Sequence, residues 1–226
     1  MGEVCFRLVK GEPDLHRVLS LRRRVLVEEF GRIAPGEETD PYDPIGDIFC
    51  ALEDGFVVGT LRVVRETVLR ETALWKSSSD AAPTAFCIER RVDLAPLRRE
   101  GRGLCEVSRL VVPDGSRCNG KPIALGLFAC VHALGTKWRI DDVLIVANCE
   151  MNQPKETETL SWEERLKTAE VPEFYLRMGF QRLGPIREPR FYDNFAVCSA
   201  PMRLRREALP QRYRKLFDAL RERIET

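Results

Sequence analysis

The sequence EVSRLVVPDGSRCNGKP, residues 106–122, joins a predicted strand to a predicted helix through a polar turn. The strand covers residues 104–112 and the apolar helix covers residues 122–138, with a proline in its first turn. This arrangement points free backbone N–H groups and a helix N-terminus at one place, which suits a phosphate or pyrophosphate group. Arg117 and Lys121 would add positive charge there. The alternative interpretation is an ordinary surface turn.

Strand and helix patterns on both sides of this segment indicate an α/β protein. Residues 142–147 form a further predicted strand, so that strand, helix and strand make a βαβ-like unit. Near the N-terminus, alternating residues predict a strand over 4–9, and Glu12 begins a helix with apolar residues at helical spacing. An Asp-Gly pair between the apolar runs 48–52 and 56–64 predicts a β-hairpin. We therefore expect a central sheet flanked by helices.

The remaining segments complete one predicted domain over residues 1–226. Residues 66–102 are less regular and are interpreted as an insertion. The C-terminal part is predicted to hold a helical region interrupted by a proline, two strands and an amphipathic tail helix, over residues 162–178, 180–183, 195–204 and 207–226. No linker divides the chain and no internal repeat is seen.

The composition indicates a globular protein without a metal site. Of its 226 residues, 44% are hydrophobic and 31% are charged, and the net charge of +1 gives no reason to expect nucleic acid or a membrane surface as partner. The eight cysteines stand apart from one another and from the two histidines, which disfavours metal binding. The N-terminus lacks a signal-peptide pattern, and the longest apolar stretch, 123–134, is too short to span a bilayer. A cytoplasmic location is therefore expected.

The sequence FYLRMGF, residues 174–180, predicts a helix that ends at a glycine and leads directly into a strand. Together with the Arg117-x-x-Gly120 turn, it resembles the GNAT acyltransferase superfamily, although Pro122 stands where that superfamily usually has Gly or Ala. The resemblance implies the GNAT fold, with a mixed central sheet, and donor binding at this turn. The cofactor-binding residues implied in this way are Val111, Val112, Arg117, Gly120 and Lys121. It also implies that a backbone N–H within residues 110–112 stabilises the oxyanion.

Four motifs narrow the resemblance further. They are RxxVLxEE at 22–29, DPYD at 40–43, GTLR at 59–62 and EVSR at 106–109. Their order resembles the acyl-homoserine-lactone (autoinducer) synthases and, more closely, the long-chain N-acyl amino acid synthases. The autoinducer pattern has aromatic residues where this chain has Leu26 and Arg32, which argues against the use of S-adenosylmethionine.

Amide formation needs a group that removes a proton from the attacking amine. An amine with a pKa near ~8 is mostly protonated at pH 7, and a carboxylate can accept its proton directly or through water. Glu106 is the predicted base; the alternative is an ion pair with Arg62 or Arg109 that holds the sheet together. By analogy with other GNAT enzymes, Tyr175 is predicted to protonate the leaving thiolate; the alternative is an aromatic residue that only packs.

Charged residues of the same motifs are predicted to bind the acceptor. Guanidinium groups bind carboxylates in a bidentate fashion, so the arginines would hold the carboxylate of an amino acid and position an N-terminal lid. The substrate-binding residues predicted in this way are Arg22, Asp40, Asp43, Arg62, Ser108 and Arg109. The alternative is a set of exposed salt bridges.

The resemblance therefore implies an N-acyltransferase without a tightly bound cofactor. The expected donor is a medium or long acyl chain on the phosphopantetheine of acyl carrier protein, or on coenzyme A, and the expected acceptor is an amino acid or similar small amine. Because a carrier protein is acidic, Arg117, Lys121 and Lys137 are predicted to form its docking surface. Three alternatives stay open: an autoinducer synthase, an acetyltransferase that uses acetyl-CoA, and a GNAT-like module that binds an acyl ligand without turnover.

Overall fold

The computed structural model describes residues 3–29, 33–76, 86–113, 120–151, 161–187 and 198–225. Its strands are β1 (Val4–Leu8), β2 (Asp47–Glu53), β3 (Phe56–Arg65), β4 (Leu104–Val111), β5 (Asp142–Asn148), β6 (Glu150–Met151), β7 (Ala169–Glu170), β8 (Gln181–Arg182), β9 (Ser199–Arg205) and β10 (Ile224–Glu225). Its α-helices are α1 (Glu12–Arg22), α2 (Glu66–Leu69), α3 (Ala73–Lys76), α4 (Ala95–Arg99), α5 (Lys121–Gly135), α6 (Trp162–Thr168), α7 (Glu173–Arg177) and α8 (Gln211–Leu220). A π-helix, Arg23–Glu29, continues α1. Short 3-10 helices lie at Asp43–Ile45, Cys87–Arg90, Arg206–Ala208 and Arg221–Arg223.

Eight of these strands form one mixed sheet, in the order β10-β1-β2-β3-β4-β5-β9-β8. Neighbours pair antiparallel, except that β10 with β1 and β4 with β5 are parallel. Helix α5 connects β4 to β5, as a parallel pair requires and as the βαβ-like pattern predicted. The predicted central mixed sheet flanked by helices is therefore confirmed.

Helices cover both faces of the sheet, because side chains alternate along its strands. In β2, Phe49 belongs to the core cluster that it shares with α5. Its neighbours Ile48 and Cys50 point the other way and pack with Val18 of α1. Helix α8 packs on the α5 side through Phe217. No helix in the described ranges is both long and apolar enough to cross a membrane.

The described part of the predicted insertion, residues 66–102, packs on the sheet face opposite α5. Helices α2 to α4 and the 3-10 helix before α4 share a core cluster in which Phe86 and Ile88 join Leu104 of β4 and Leu144 of β5. The insertion therefore forms a layer over the middle of the sheet. This layer lies directly against the strand that carries the EVSR motif.

Some element boundaries near the C-terminus differ from the predictions. The tail predicted as a helix over 207–226 is an α-helix only over Gln211–Leu220, and its last two described residues pair with β1 as strand β10. The exposed edge of β1 offers backbone hydrogen bonds, which a longer helix would not use. The strand predicted over 180–183 is limited to the two residues of β8.

Gly126 marks a close approach of helix α5 to β1. A Cβ atom at this position would lie 1.9 Å from Cζ of Phe6, whose ring is buried. Replacing Gly126 by Ala is therefore expected to lower the free energy of unfolding by about 1–3 kcal/mol, despite the better helix propensity of Ala. Thermal denaturation measures the effect. Gly135→Ala in the same helix is the control, because its Cβ meets only the far end of Arg206; equal losses in both variants would contradict the prediction.

Candidate active site

A cleft of about 470 Å³ lies where strands β4 and β5 separate. The two strands pair only over their first residues, as far as Val107 and Ile145. Beyond this point β4 continues to Val111 and β5 to Asn148 without pairing with each other. The residues that line the cleft include Ala124 and Phe128 of α5, Tyr175 of α7 and Cys87 of the insertion. The cleft therefore passes between the strands and contacts the layers on both faces of the sheet.

A β-bulge in β4 borders the cleft. Thr60 and Arg62 of β3 stand opposite Val111 and Ser108, so β4 holds one residue more than β3 between these two pairs. The extra length includes Arg109, whose φ of 51° is uncommon for a residue other than glycine. A bulge leaves the added residue out of the ladder, so backbone groups of β4 are released from β3 at the edge of the cleft.

Glu106 lines the cleft on the insertion side and is only 4% exposed. Its Oε2 atom accepts a hydrogen bond of 2.9 Å from the backbone N–H of Ile88. Burial raises the pKa of Glu106 to about 7, against the opposing effects of this hydrogen bond and of the charge on Arg62. The alternative ion pair with Arg62 or Arg109 is not found among the described residues, because both arginines bind Asp40 instead. The carboxyl group is therefore close to half ionised at neutral pH.

Three arginines and two aspartates form a buried cluster at one end of the cleft. Arg62 donates to Asp40, over 3.0 Å between Nη2 and Oδ2, and to Asp43, over 2.9 Å between Nη1 and Oδ1. Arg22 donates to Asp43 over 2.7 Å. Arg109 donates to Asp40 over 3.0 Å. The side chains of Arg22 and Arg62 are 0% and 2% exposed, so these two arginines do not form exposed salt bridges.

This arginine–aspartate cluster has unused hydrogen-bonding capacity. Ser108 belongs to the same group, since its Oγ accepts a hydrogen bond of 3.2 Å from Nε of Arg62. Burial raises the pKa of Asp40, but the hydrogen bonds and charges of Arg62 and Arg109 outweigh it and lower that pKa to about 2. Nη1 of Arg109 is buried and has no hydrogen-bond partner in the described part of the chain. Arg109 lines the cleft, although its Nη1 atom is itself covered by protein atoms.

Tyr175 lines the cleft on the α5 side. Its ring packs edge-on against Phe128, Phe174 and Phe180, with centroids 6.4, 5.2 and 5.7 Å away. Burial raises the pKa of Tyr175 to about 12, so its hydroxyl keeps its proton at neutral pH. Tyr175 therefore packs against other aromatic rings and also lines the cleft.

Four of the residues predicted to bind the donor line the cleft: Val111, Val112, Gly120 and Lys121. Gly120 has a φ of 71° and precedes the first residue of α5, a conformation that glycine adopts readily. Arg117 and the predicted phosphate-binding turn lie outside the described residues. Lys137 follows the opposite end of α5, roughly 20 Å from Lys121 by the rise of a helix, so it does not belong to a basic surface at the cleft. The three-residue docking surface is wrong in this respect.

Several residues of the cleft were not identified from the sequence. Cys87 lines it from the insertion. Its neighbour Ile88 contacts Glu106 through a backbone N–H, for which no side-chain pattern exists. Phe128 could have been identified from the sequence together with Ala124, because the two lie one helical turn apart on the same face of α5.

The family described as "N-acyl amino acid synthase FeeM" matches residues 17–153, which is more than half of the chain. This range contains the arginine–aspartate cluster and Glu106, whereas Tyr175 lies beyond it. No curated protein sequence matches the chain at a significant level.

Solved structures of acyltransferases share the fold at low sequence identity. FeeM, an N-acyl amino acid synthase from uncultured soil microbes, is 16% identical with a TM-score of 0.60, and the match covers 92% of each chain. The acyl-homoserine-lactone (AHL) synthase LasI is 14% identical with a TM-score of 0.58, over 94% of this chain and 95% of LasI. An acyl-CoA N-acyltransferase from Pseudomonas aeruginosa is 18% identical with a TM-score of 0.50, over 90% of this chain and 99% of its own.

These structures confirm the predicted GNAT fold. At these low identities the structures establish the fold only. The family match rests on the sequence, and it includes β4, β5 and the charged residues beside the cleft. The chain therefore belongs to the N-acyl amino acid synthase FeeM family and is an N-acyltransferase.

Proposed function

We propose that this enzyme forms an amide between a medium or long acyl chain and the amine of an amino acid, with Glu106 as general base and Tyr175 as general acid. The observation that supports this proposal is the separation of β4 and β5, through which one cleft contacts Glu106 on the insertion side and Tyr175 on the α5 side. A thioester between the strands would present its sulfur to Tyr175 and its carbonyl carbon to an amine beside Glu106.

The proposed reaction needs three proton transfers. Glu106 takes one proton from the protonated amine, whose nitrogen then attacks the thioester carbonyl carbon and becomes positively charged. The nitrogen releases its second proton to solvent as the tetrahedral intermediate collapses and the C–S bond breaks. The thiolate takes the hydroxyl proton of Tyr175, which a proton from solvent replaces. A carboxyl group with a pKa of about 7 suits the first step, because it is partly ionised at neutral pH and yet basic enough to accept a proton.

The bulge of β4 supplies the group that we expect to stabilise the oxyanion. Leu110 and Val111 line the cleft next to the bulge. A backbone N–H of this segment, released from pairing with β3, would donate a hydrogen bond to the developing oxyanion. No side chain is needed for this role.

The arginine–aspartate cluster favours an acceptor that carries a carboxylate. Its three arginines exceed its two aspartates by one positive charge. Arg109 lines the cleft, and a carboxylate that displaced the atoms covering its unpaired Nη1 would satisfy that donor. The amine of the same amino acid would then lie near Glu106.

A direct product assay tests the proposed function. The purified protein is incubated with acyl carrier proteins loaded with different acyl chains and with each amino acid or its decarboxylated amine, and products are identified by mass spectrometry. We expect an N-acyl amino acid, and a kcat/KM about 10–100-fold lower for the amine, the equivalent of one charged hydrogen bond. Acylation of S-adenosylmethionine alone would support an autoinducer synthase instead. Absence of product with any donor would support a module that binds without turnover.

We propose acyl carrier protein as the donor because exposed positive charge flanks the cleft. Lys121 lines the cleft, and Arg177, which pairs with Glu173 over 2.6 Å, follows Tyr175 closely on α7; both side chains are exposed. Steering of an acidic carrier is screened by salt, so kcat/KM with the acyl carrier protein is expected to fall about 10-fold between about 50 and 500 mM NaCl. Acyl-pantetheine, which lacks the carrier, is the control. Equal salt dependence for both donors, or a higher kcat/KM with acyl-CoA at low salt, would argue against the carrier.

Replacing Tyr175 by Phe removes only the hydroxyl and retains the packing on Phe128 and Phe180. We expect kcat to fall about 10–100-fold, at the low end of acid catalysis, because a thiolate leaves readily. The thermal stability should stay close to that of the wild type. A donor with a more acidic thiol, such as an acyl thiophenol, should restore most of the lost rate, and a failure of this rescue would contradict the role of Tyr175.

A further inference from the structure

The insertion contacts Glu106 through its backbone. The N–H of Ile88 donates to Oε2 of Glu106, and both residues are buried. No hydrogen bond to Oε1 is found among the described residues, so the two oxygens of this carboxylate have different surroundings. Oε1 is thus the oxygen of Glu106 for which the described residues provide no donor.

A buried ion-pair network holds the 3-10 helix that carries Ile88. Glu89 of this helix accepts a hydrogen bond of 2.9 Å from the backbone N–H of Phe86, and its other carboxylate oxygen binds Nη1 of Arg98. Arg98 also binds Glu66, which directly follows β3. The arginine therefore ties the 3-10 helix to the sheet.

Arg98 is held on a third side by an aromatic ring. Its guanidinium carbon lies 4.9 Å from the centre of the Trp75 ring, a geometry that favours a cation. Arg70 binds the same Glu66, over 3.5 Å, but its side chain is 53% exposed and does not contact Glu89 in the described structure. Arg70 thus offers a matched comparison for Arg98.

We propose that the 3-10 helix Cys87–Arg90 is a positioning element for the general base: Ile88 N–H holds Oε2 of Glu106 so that Oε1 accepts the amine proton, and Arg98 keeps this helix in place. The inference rests on the proposed function of Glu106 and adds to it the reason why the insertion is needed. Arg98 would then be a positioning residue, because it acts on Glu106 through Glu89 and through the backbone of the 3-10 helix.

Other charged and titratable groups also face Glu106. Arg62 of β3 lowers the pKa of Glu106, whereas Glu89 of the insertion and Asp40 raise it. Burial raises the pKa values of the Cys87 and Cys105 thiols, and the charge of the nearby Glu106 raises them further. Because these groups stay in place when only the Ile88 N–H is removed, the contribution of that hydrogen bond can be measured separately.

The sharpest test replaces Ile88 by its α-hydroxy acid through nonsense suppression, which turns one peptide bond into an ester and keeps the side chain. The carboxyl titration of Glu106 is followed by carbon-13 NMR in the unliganded protein, with Glu106→Gln to assign the signal. We expect the pKa of Glu106 to rise by about one unit, which corresponds to one hydrogen bond to a charged group. The acid limb of the kcat/KM profile should move up by the same amount.

Two controls separate positioning from stability. An ester at Val92 removes the N–H that donates to the carbonyl of Ile88 in the same segment, and it should leave the titration of Glu106 unchanged. Arg98→Met should shift the titration in the same direction as the Ile88 ester, with partial rescue in Arg98→Lys, whereas Arg70→Met should not. These readouts do not depend on the amount of folded enzyme.

The outcomes distinguish this inference from the proposed function. An unchanged Glu106 titration in the Ile88 ester would overturn the positioning role, even if acyl transfer is observed. A shifted titration in a protein that transfers no acyl group would support the contact and overturn the proposed function alone.

Discussion

Replacing Glu106 by Gln is expected to lower kcat/KM by about 10²–10⁴-fold, the range that a general base contributes. Gln keeps the shape of the side chain and an oxygen that can accept the Ile88 hydrogen bond, but it cannot accept the amine proton at neutral pH. Steady-state kinetics with a fixed donor and acceptor measure the loss. Glu100→Gln, at an exposed position of the insertion, is the control and should retain full activity.

The pH dependence of the wild type provides a second measure of the same role. Burial raises the pKa of Glu106 to about 7, and only the ionised form accepts a proton. The rate constant kcat/KM should therefore fall about tenfold for each unit of pH below about 7, and level off above it. A flat profile between pH 5 and 8, or near-normal activity of the Gln variant, would exclude Glu106 as the base.

The Gln variant should also reveal the cost of burying the charge. The folded-state pKa of Glu106 lies above the ordinary value of 4.5, so the folded protein binds this proton more tightly than the unfolded chain. Its stabilising contribution is complete below about pH 4.5 and is lost as the pH rises through about 7. The Tm of the Gln variant relative to the wild type should therefore increase between pH 5 and 8. A constant difference over this range would contradict the raised pKa.

Replacing Arg62 by Met is expected to lower the free energy of unfolding by about 3–5 kcal/mol, because removing one member of a buried ion pair leaves charges without their partner. Arg62 is the centre of the arginine–aspartate cluster and binds Asp40 and Asp43 as well as Ser108. For a chain of this size, the loss corresponds to a fall in Tm of about 6–20 °C. Acceptor binding should weaken too, since Asp40 would no longer hold Arg109 in the same position.

Arg24→Met is the matched control for this variant. Arg24 also binds a carboxylate, that of Glu29, but over 3.6 Å and with 54% of its side chain exposed. Exposed pairs of this kind contribute about 0–1 kcal/mol. Similar Tm values for the Arg62 and Arg24 variants would show that the arginine–aspartate cluster stabilises the protein no more than an exposed ion pair does.

Much of the architecture could be predicted from local patterns. The Asp-Gly pair and the alternating residues on either side of it were sufficient to predict the hairpin of β2 and β3, because side-chain alternation and turn chemistry act within a few residues. The helix α5 between two parallel strands followed from its apolar run in the same way. The identity of the charged residues in the cluster was available from motifs, although their burial was not.

The tertiary structure alone decided how these residues meet. The divergence of β4 from β5, the bulge at Arg109 and the hydrogen bond from Ile88 to Glu106 each depend on strand register or on backbone contacts between segments distant in sequence. Register leaves no local pattern beyond the alternation that several registers share, and a backbone N–H is common to every residue except proline. The sequence by itself therefore determined the order of strands and helices and the residue types available for catalysis. Only the packed sheet decided which carboxylate is buried, which of its oxygens accepts a backbone hydrogen bond and which arginines line the cleft.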